Sequence, residues 1–191
     1  MKSKRFTVKV KRKRQQRTDY LKRINYIKSN KPRLIIRAHT NNITLQVVQY
    51  EPKGDKAMVT VHSEELKKLG WEYHRGNIPT AYLSGVLLGT KAKSKNIKEA
   101  ILDLGLQKSS KASRIYAALK GVVDAGVKVP HAEDVLPSKE KIEGKDIVKY
   151  AQLLQKDQER YKKQFASYIK RNINPEHITQ KLTEVKAKIL K

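Results

Sequence analysis

Apolar residues are sparse at the start of the chain and fall into clear rhythms afterwards. Up to residue 17 the only apolar side chains are Met1, Phe6, Val8 and Val10. They are too few to offset the entropy of ordering a segment, so this stretch is expected to be disordered alone and to order against a polyanion. Tyr20, Leu21, Ile24 and Ile27 then recur at helical spacing. Thr18 offers an N-cap, Asp19 suits a first turn, and Asn30-Lys31-Pro32 is a stop. Together they predict a helix over 19–29 that docks one side on a core and turns a basic side outward, with Lys22, Arg23 and Tyr26 elsewhere on its surface.

The rhythm next changes to strands. Residues 34–38, Leu-Ile-Ile-Arg-Ala, read as the first. Asn41-Asn42 suits a tight hairpin turn, and Ile43, Leu45 and Val47 alternate with Thr44, Gln46 and Val48 in the second strand. Pro52-Lys53-Gly54-Asp55 is turn chemistry, and 57–61 make a third strand, completing an antiparallel meander. Ser63 caps a short helix that Gly70 ends, with Glu64 and Glu65 in its first turn. After Gly76-Asn77, Pro79 fits the first position of a helix. Ala81, Gly85 and Gly89 give that helix a smooth face, expected to lie tight on the sheet. A short apolar run, 100–104, is bounded by Gly105 and predicts a buried strand. Reached by a helical crossover, it is expected to run parallel to its neighbour in the meander. Ser113 opens another helix through Ile115, Ala118, Leu119 and Val122, closed by Gly126. Residues 127–130 read as either an edge strand or a link.

Past Pro137 the pattern changes: Ile147, Ala151, Leu154, Gln158, Tyr161, Phe165 and Tyr168 are spaced alternately four and three apart. They predict one long amphipathic helix over 145–171. Asn174-Pro175 breaks it, and Ile178, Leu182, Val185 and Ile189 mark a second helix. The two are expected to pair on the domain or to await a partner. The fold class is α/β, with a mixed sheet (a three-stranded antiparallel meander plus a parallel strand by helical crossover), a basic N-terminal arm and a C-terminal helical extension. The corresponding regions are 1–33, an arm with the first helix; 34–137, the globular part; and 138–191, a basic helical extension.

Charge gives this architecture a direction. The chain of 191 residues carries net +25. Residues 1–33 hold fourteen Lys/Arg against Asp19 alone, net +13, while 34–137 contribute +5 and 138–191 contribute +7. Such a balance points to nucleic acid. Neutralising several phosphates releases condensed counterions, which favours binding and makes it salt-dependent. There is no cysteine, so disulfides and thiolate metal sites are excluded, consistent with a reducing cytosol. No apolar run reaches the ~18 residues of a membrane helix, and the charged N-terminus does not read as a secretory signal. Neither membrane nor cofactor is expected. The histidines, His39, His62, His74, His131 and His177, lack metal-ligand spacing. Glu99 and Asp103 would share a strand face about 13 Å apart at ~3.3 Å per residue, too far for carboxylates that converge on two metal ions. Catalysis is not expected.

Several stretches in order carry a resemblance: Arg17-Thr18-Asp19-Tyr20, Lys31-Pro32-Arg33-Leu34, Tyr50-Glu51-Pro52-Lys53-Gly54-Asp55, His62-Ser63-Glu64-Glu65-Leu66, Gly76-Asn77 and Ser113-Arg114-Ile115-Tyr116-Ala117-Ala118-Leu119-Lys120-Gly121. From about residue 5 to 150 the chain resembles the archaeal version of the large-ribosomal-subunit family that binds 5S rRNA, number eighteen in the bacterial series. The tail argues against the shorter bacterial form. The resemblance implies an α/β domain on the central protuberance of the large subunit, in the cytoplasmic ribosome. It also implies contacts with 5S rRNA, large-subunit rRNA and neighbouring ribosomal proteins.

Three elements are expected to face RNA. On the arm and first helix, Lys9, Lys11, Arg12, Lys13, Arg14, Arg17, Lys22 and Arg23 supply phosphate contacts, and Tyr20 or Tyr26 can stack on a base or pack on a ribose. The loop Lys108-Ser109-Ser110-Lys111-Ala112-Ser113-Arg114 leads into a helix N-terminus, where free N–H groups favour a phosphate; it reads equally as an ordinary capped helix start. The loop from Trp71 brings His74, Arg75, Gly76 and Asn77, with Trp71 itself a core cover or a stacking platform. Arg37 and Thr40 on the hairpin are weaker candidates. The rival reading is a general double-stranded nucleic-acid-binding or packaging protein that uses the arm alone.

Overall fold

In the computed structural model, which describes residues 7–190, the arm contributes one exposed helical turn, Lys11–Arg14 (α1). Lys2, Lys4, Arg5 and Phe6 of the arm lie outside the described residues. Tyr20–Lys28 (α2) starts one residue later than expected. Asp19, not Thr18, is its N-cap, and the carboxylate accepts from the N–H groups of Leu21 and Lys22 at 3.1 and 3.2 Å. The expected burial of its apolar side does not occur. Leu21 is 74% exposed and Ile24 49%, while Tyr20 and Ile27 are half-buried. The physical reason lies beneath the helix, where the sheet turns charged side chains outward and offers little apolar surface to dock on.

The sheet has the order β3-β2-β1-β4. Arg33–Ala38 (β1), Ile43–Gln49 (β2) and Lys56–His62 (β3) form the antiparallel meander, and Ile101–Asp103 (β4) pairs parallel to β1. This is the mixed sheet that the alternation predicts. Leu34, Ile36, Ile43, Leu45, Val59 and Val61 all point inward and are buried. A bulge between Val47 and Val48 interrupts the alternation, and both are buried. Between β3 and the next long helix, Ser63–Leu69 forms a 3-10 helix closed by the left-handed Gly70. Trp71 is fully buried and its indole N–H donates to Thr80 at 2.7 Å, which makes it a core cover.

Ile78–Ser94 (α3) and Arg114–Asp124 (α4) lie side by side on the inner face of the sheet. The smooth face of α3 meets α4, not the sheet as expected. A Cβ at Gly85 would run into the Ala118 backbone, and one at Gly121 into the backbones of Tyr82 and Val86. Two helices at this separation need glycine on both sides. Residues 127–130 form a link, joined to the segment before β4 by a single parallel bridge, Glu99 with Lys128.

The predicted continuous helix over 145–171 is broken into pieces. After Lys139–Glu143 (α5), the chain forms Lys145–Leu154 (α6), Gln158–Gln164 (α7) and Ala166–Ile169 (α8). Asp157 caps α7 by accepting from the Arg160 N–H at 3.2 Å. An unbroken helix of this span would run about 40 Å at 1.5 Å per residue, off the side of the domain. The breaks fold it back so that Phe165 and Tyr168 are buried. Ile178–Leu190 (α9) then packs on α3 and the 3-10 helix through Ile178, Leu182, Val185 and Ile189. These residues join the same continuous apolar cluster as the sheet.

Candidate nucleic-acid interface

Alternation in β1 puts Leu34 and Ile36 inside, so Arg33 and Arg37 emerge on the outer face, with Asp103 of β4 beside them. Arg33 is only 4% exposed. Its guanidinium donates to Asp103 at 2.8 Å and to Asp55 at 2.6 Å. Asp55 also accepts from Arg23 of α2 at 2.9 Å, so one carboxylate ties the helix to the sheet. Arg37 donates to the carbonyl oxygens of Ile36 and Asp103, both at 3.1 Å. Removing one member of such a network strands the other charge, which is why it persists despite the cost of burial. Between arm, α2 and sheet lies a cavity of about 210 Å³. Arg12, Arg17, Lys22, Arg23, Tyr26 and Arg37 all line it, so the structure gathers six of the sequence-predicted residues in one place. Burial, and then the nearby Asp103 charge, push the Tyr26 hydroxyl above its ordinary range. Tyr20 belongs to a neighbouring hollow with Lys13, Leu21 and Leu106. Lys9, Lys11 and Arg14 are exposed on the arm.

A second cluster forms where three loops meet. Gln107 donates to the carbonyl of Ala38 at 2.9 Å, which fastens the loop after β4 to the β1–β2 hairpin. Arg114 donates to the carbonyl oxygens of His39 at 3.0 Å and Gly76 at 2.8 Å. Gly76 is tightly enclosed: a Cβ there would stand 2.8 Å from the Thr40 carbonyl oxygen and 3.0 Å from the His74 ring. Thr40, His74, Gly76 and Arg114 are thus one junction. The His74 ring accepts from the Gly76 N–H at 3.1 Å. Partial burial, followed by repulsion from Arg114, Arg75 and Arg171, lowers its pKa. The ring is therefore neutral at neutral pH, as an acceptor must be.

Other predicted residues have internal partners. Arg75 pairs with Glu64 at 2.5 Å, and Asn77 caps α3 by accepting from the Thr80 N–H at 2.9 Å. Lys111 pairs with Asp134 at 2.5 Å, which raises the lysine pKa and lowers that of the aspartate. Ser109 shares a hydrogen bond with the Tyr116 hydroxyl. Ser113 precedes α4 in cap position, but its hydroxyl oxygen is buried without a hydrogen-bond partner among the described residues. Lys108 and Ser110 are exposed.

Sequence reasoning missed Arg33, Asp55 and Asp103 as the frame of the cavity, because their partners are 22 and 70 positions apart. It also missed Arg171, which donates to the Glu72 carbonyl at 3.1 Å and covers the Tyr168 ring beside the 71–77 loop. The period-2 alternation that sets Arg33 on the outer face of the sheet was the one available signal. Glu99 and Asp103 are ion-pair partners of Lys31 and Arg33. Among the described residues no acidic or histidine cluster is arranged for a metal, and no helix is long and apolar enough to cross a membrane.

Comparison with known proteins places this geometry in context. A family model described as ribosomal large subunit proteins 60S L5 and 50S L18 matches residues 4–99 and 90–132. Large ribosomal subunit protein uL18 of Methanococcus maripaludis is 43% identical over 185 residues, which cover 97% of this chain and 96% of that protein. On both counts the chain belongs to the family of large-subunit ribosomal proteins 60S L5 and 50S L18, in its archaeal form.

Proposed function

We propose that this structural constituent of the large ribosomal subunit binds 5S rRNA and helps anchor it to large-subunit rRNA in the central protuberance, beside neighbouring ribosomal proteins. It works by shape and charge, and nothing is turned over. The observation that carries the reading is the junction at Arg114. One side chain fastens three loops that are far apart in sequence, and the His74 ring faces it. A general packaging protein needs only a cationic arm; a rigid junction of loops supplies a surface with one shape. Residues 1–33 act as the RNA-binding arm, 34–137 as the body that presents the loops, and 138–191 as the basic extension. At about 0.3 M salt, where purely electrostatic affinity has fallen steeply, binding to 5S rRNA is expected to exceed binding to duplex DNA of matched length by roughly tenfold or more. Equal affinities in a filter-binding assay would instead favour the packaging reading.

A further inference from the structure

The cavity under the arm has features that exposed lysines and arginines do not provide. Six cationic side chains line it, among them Arg17, Arg33 and Arg37, against three carboxylates. Those carboxylates are already engaged: Asp103 by Arg33, Asp55 by Arg23 and Arg33, and Asp19 by the first turn of α2. The excess positive charge disfavours a cation there and favours an anion. Arg33 adds a second observation. Both terminal nitrogens are spoken for, but its Nε is buried without a hydrogen-bond partner among the described residues. That atom has no exposed surface, so Arg33 braces the wall, and the donors open to the cavity are those of more exposed side chains such as Arg17 and Arg37.

The geometry is also preorganised. Gly105 has φ +59°, and a Cβ there would come within 2.9 Å of Arg37 Nη2. Glycine lets the Arg37 guanidinium lie against the backbone, where two carbonyl oxygens hold it. At about 30 Å³ per water, the cavity's volume corresponds to roughly seven waters, room for one phosphate group with a partial hydration shell.

We infer that this cavity is a single-phosphate clamp for one RNA backbone phosphodiester, with Arg37 fixed on the sheet as its floor and Arg17 closing over it from the arm. The inference rests on the RNA-binding reading and sharpens it from diffuse cationic contact to one built subsite. Planar guanidinium forks match phosphate oxygens two at a time, which explains why arginine outnumbers lysine on this wall. The acid-free cationic run from Lys9 to Arg17 leads into the cavity and marks the track of a polyanion.

The test uses the full chain with sodium phosphate, then sodium acetate, each against sodium chloride at matched ionic strength. Unfolding temperature and calorimetric binding are read. Phosphate is expected to stabilise saturably, whereas Arg17→Gln and Arg37→Lys weaken phosphate binding roughly tenfold, as loss of a charge-assisted hydrogen bond implies. Arg17 is exposed, so its variant is expected to fold even where the Arg37 variant does not. Equal stabilisation by acetate, or an unchanged phosphate response in the Arg17 variant, overturns the clamp. In a second arm, Arg17→Gln is expected to reduce the salt slope of 5S rRNA binding by about one. A lost phosphate response with an unchanged slope assigns the site to free phosphate and overturns the RNA assignment. Failure of the wild-type chain to prefer 5S rRNA over duplex DNA sinks the proposed function instead, whatever inorganic phosphate does.

Discussion

His74 shows how much one residue's surroundings decide. The sequence marks it as one of five scattered histidines; the fold sets it among Arg114, Arg75 and Arg171. Because folding lowers its pKa, the unfolded chain takes up this proton first as pH falls below about 6.5. The stability linked to the neutral ring is therefore complete above that value and is lost as pH drops towards the lowered folded value. Urea unfolding of wild type and His74→Gln at pH 7.5 and 5.5 is expected to show a larger loss for wild type; equal losses would mean the ring titrates normally. RNA phosphate at the junction is expected to raise the same pKa, visible as a shift in the ring's NMR titration. At this scale the sequence revealed which side chains carry charge. It did not reveal which are already paired, because Arg75 with Glu64 and Lys111 with Asp134 meet only after folding.

Periodicity located most elements and, in two cases, named the wrong neighbour. For α2 the helical stripe was legible, but whether the stripe is covered depends on the sheet's outer face, and that face is set by residues far along the chain. Arg23 and Asp55 hold the helix in place of Leu21 and Ile24. Leu21→Ser is therefore expected to change unfolding free energy by no more than about 0.5 kcal/mol, as surface substitutions do. For α3 the four-residue repeat of small residues announced close packing without saying against what. The partner is α4, and its Gly121 reciprocates. Gly85→Ala inserts a methyl against backbone that cannot move aside, so a loss of at least the ~1–3 kcal/mol typical of overpacking is expected in a denaturant melt. A near-neutral Gly85→Ala together with a costly Leu21→Ser would reverse both assignments. The broken helix after Lys145 follows the same logic: Ala151, Leu154, Phe165 and Tyr168 of its stripe are buried, but Gln158 between them is exposed where the helix breaks.

Across the whole molecule, charge and apolar burial divide the two ends by role, though composition made them look alike. Both are basic. From Lys9 to Arg17 the arm leaves every side chain exposed, whereas α9 buries Ile178, Leu182, Val185 and Ile189 in the common core. Four such side chains are worth about 1.5–3 kcal/mol each on burial, comparable in sum with the ~5–15 kcal/mol stability of an ordinary domain. Removing residues 175–191 is thus expected to abolish cooperative unfolding. Removing residues 1–16 is expected to leave the unfolding temperature within a degree or two by the small effect of exposed surface, while lowering 5S rRNA affinity and flattening its salt dependence. Circular dichroism melts and salt-titrated binding on the two truncated chains separate the roles. If the C-terminal truncation melts like wild type, α9 is an appendage awaiting a partner and not part of the body. If the N-terminal truncation binds with an unchanged salt slope, residues 1–16 make no phosphate contact, and the contacts lie at the cavity with Arg17 and Arg37 or at the Arg114 junction. The arm's role was readable from its lack of apolar residues. The integration of α9 was not, because an amphipathic stripe reports that a helix has a covered face and is silent on whether its own chain supplies the cover.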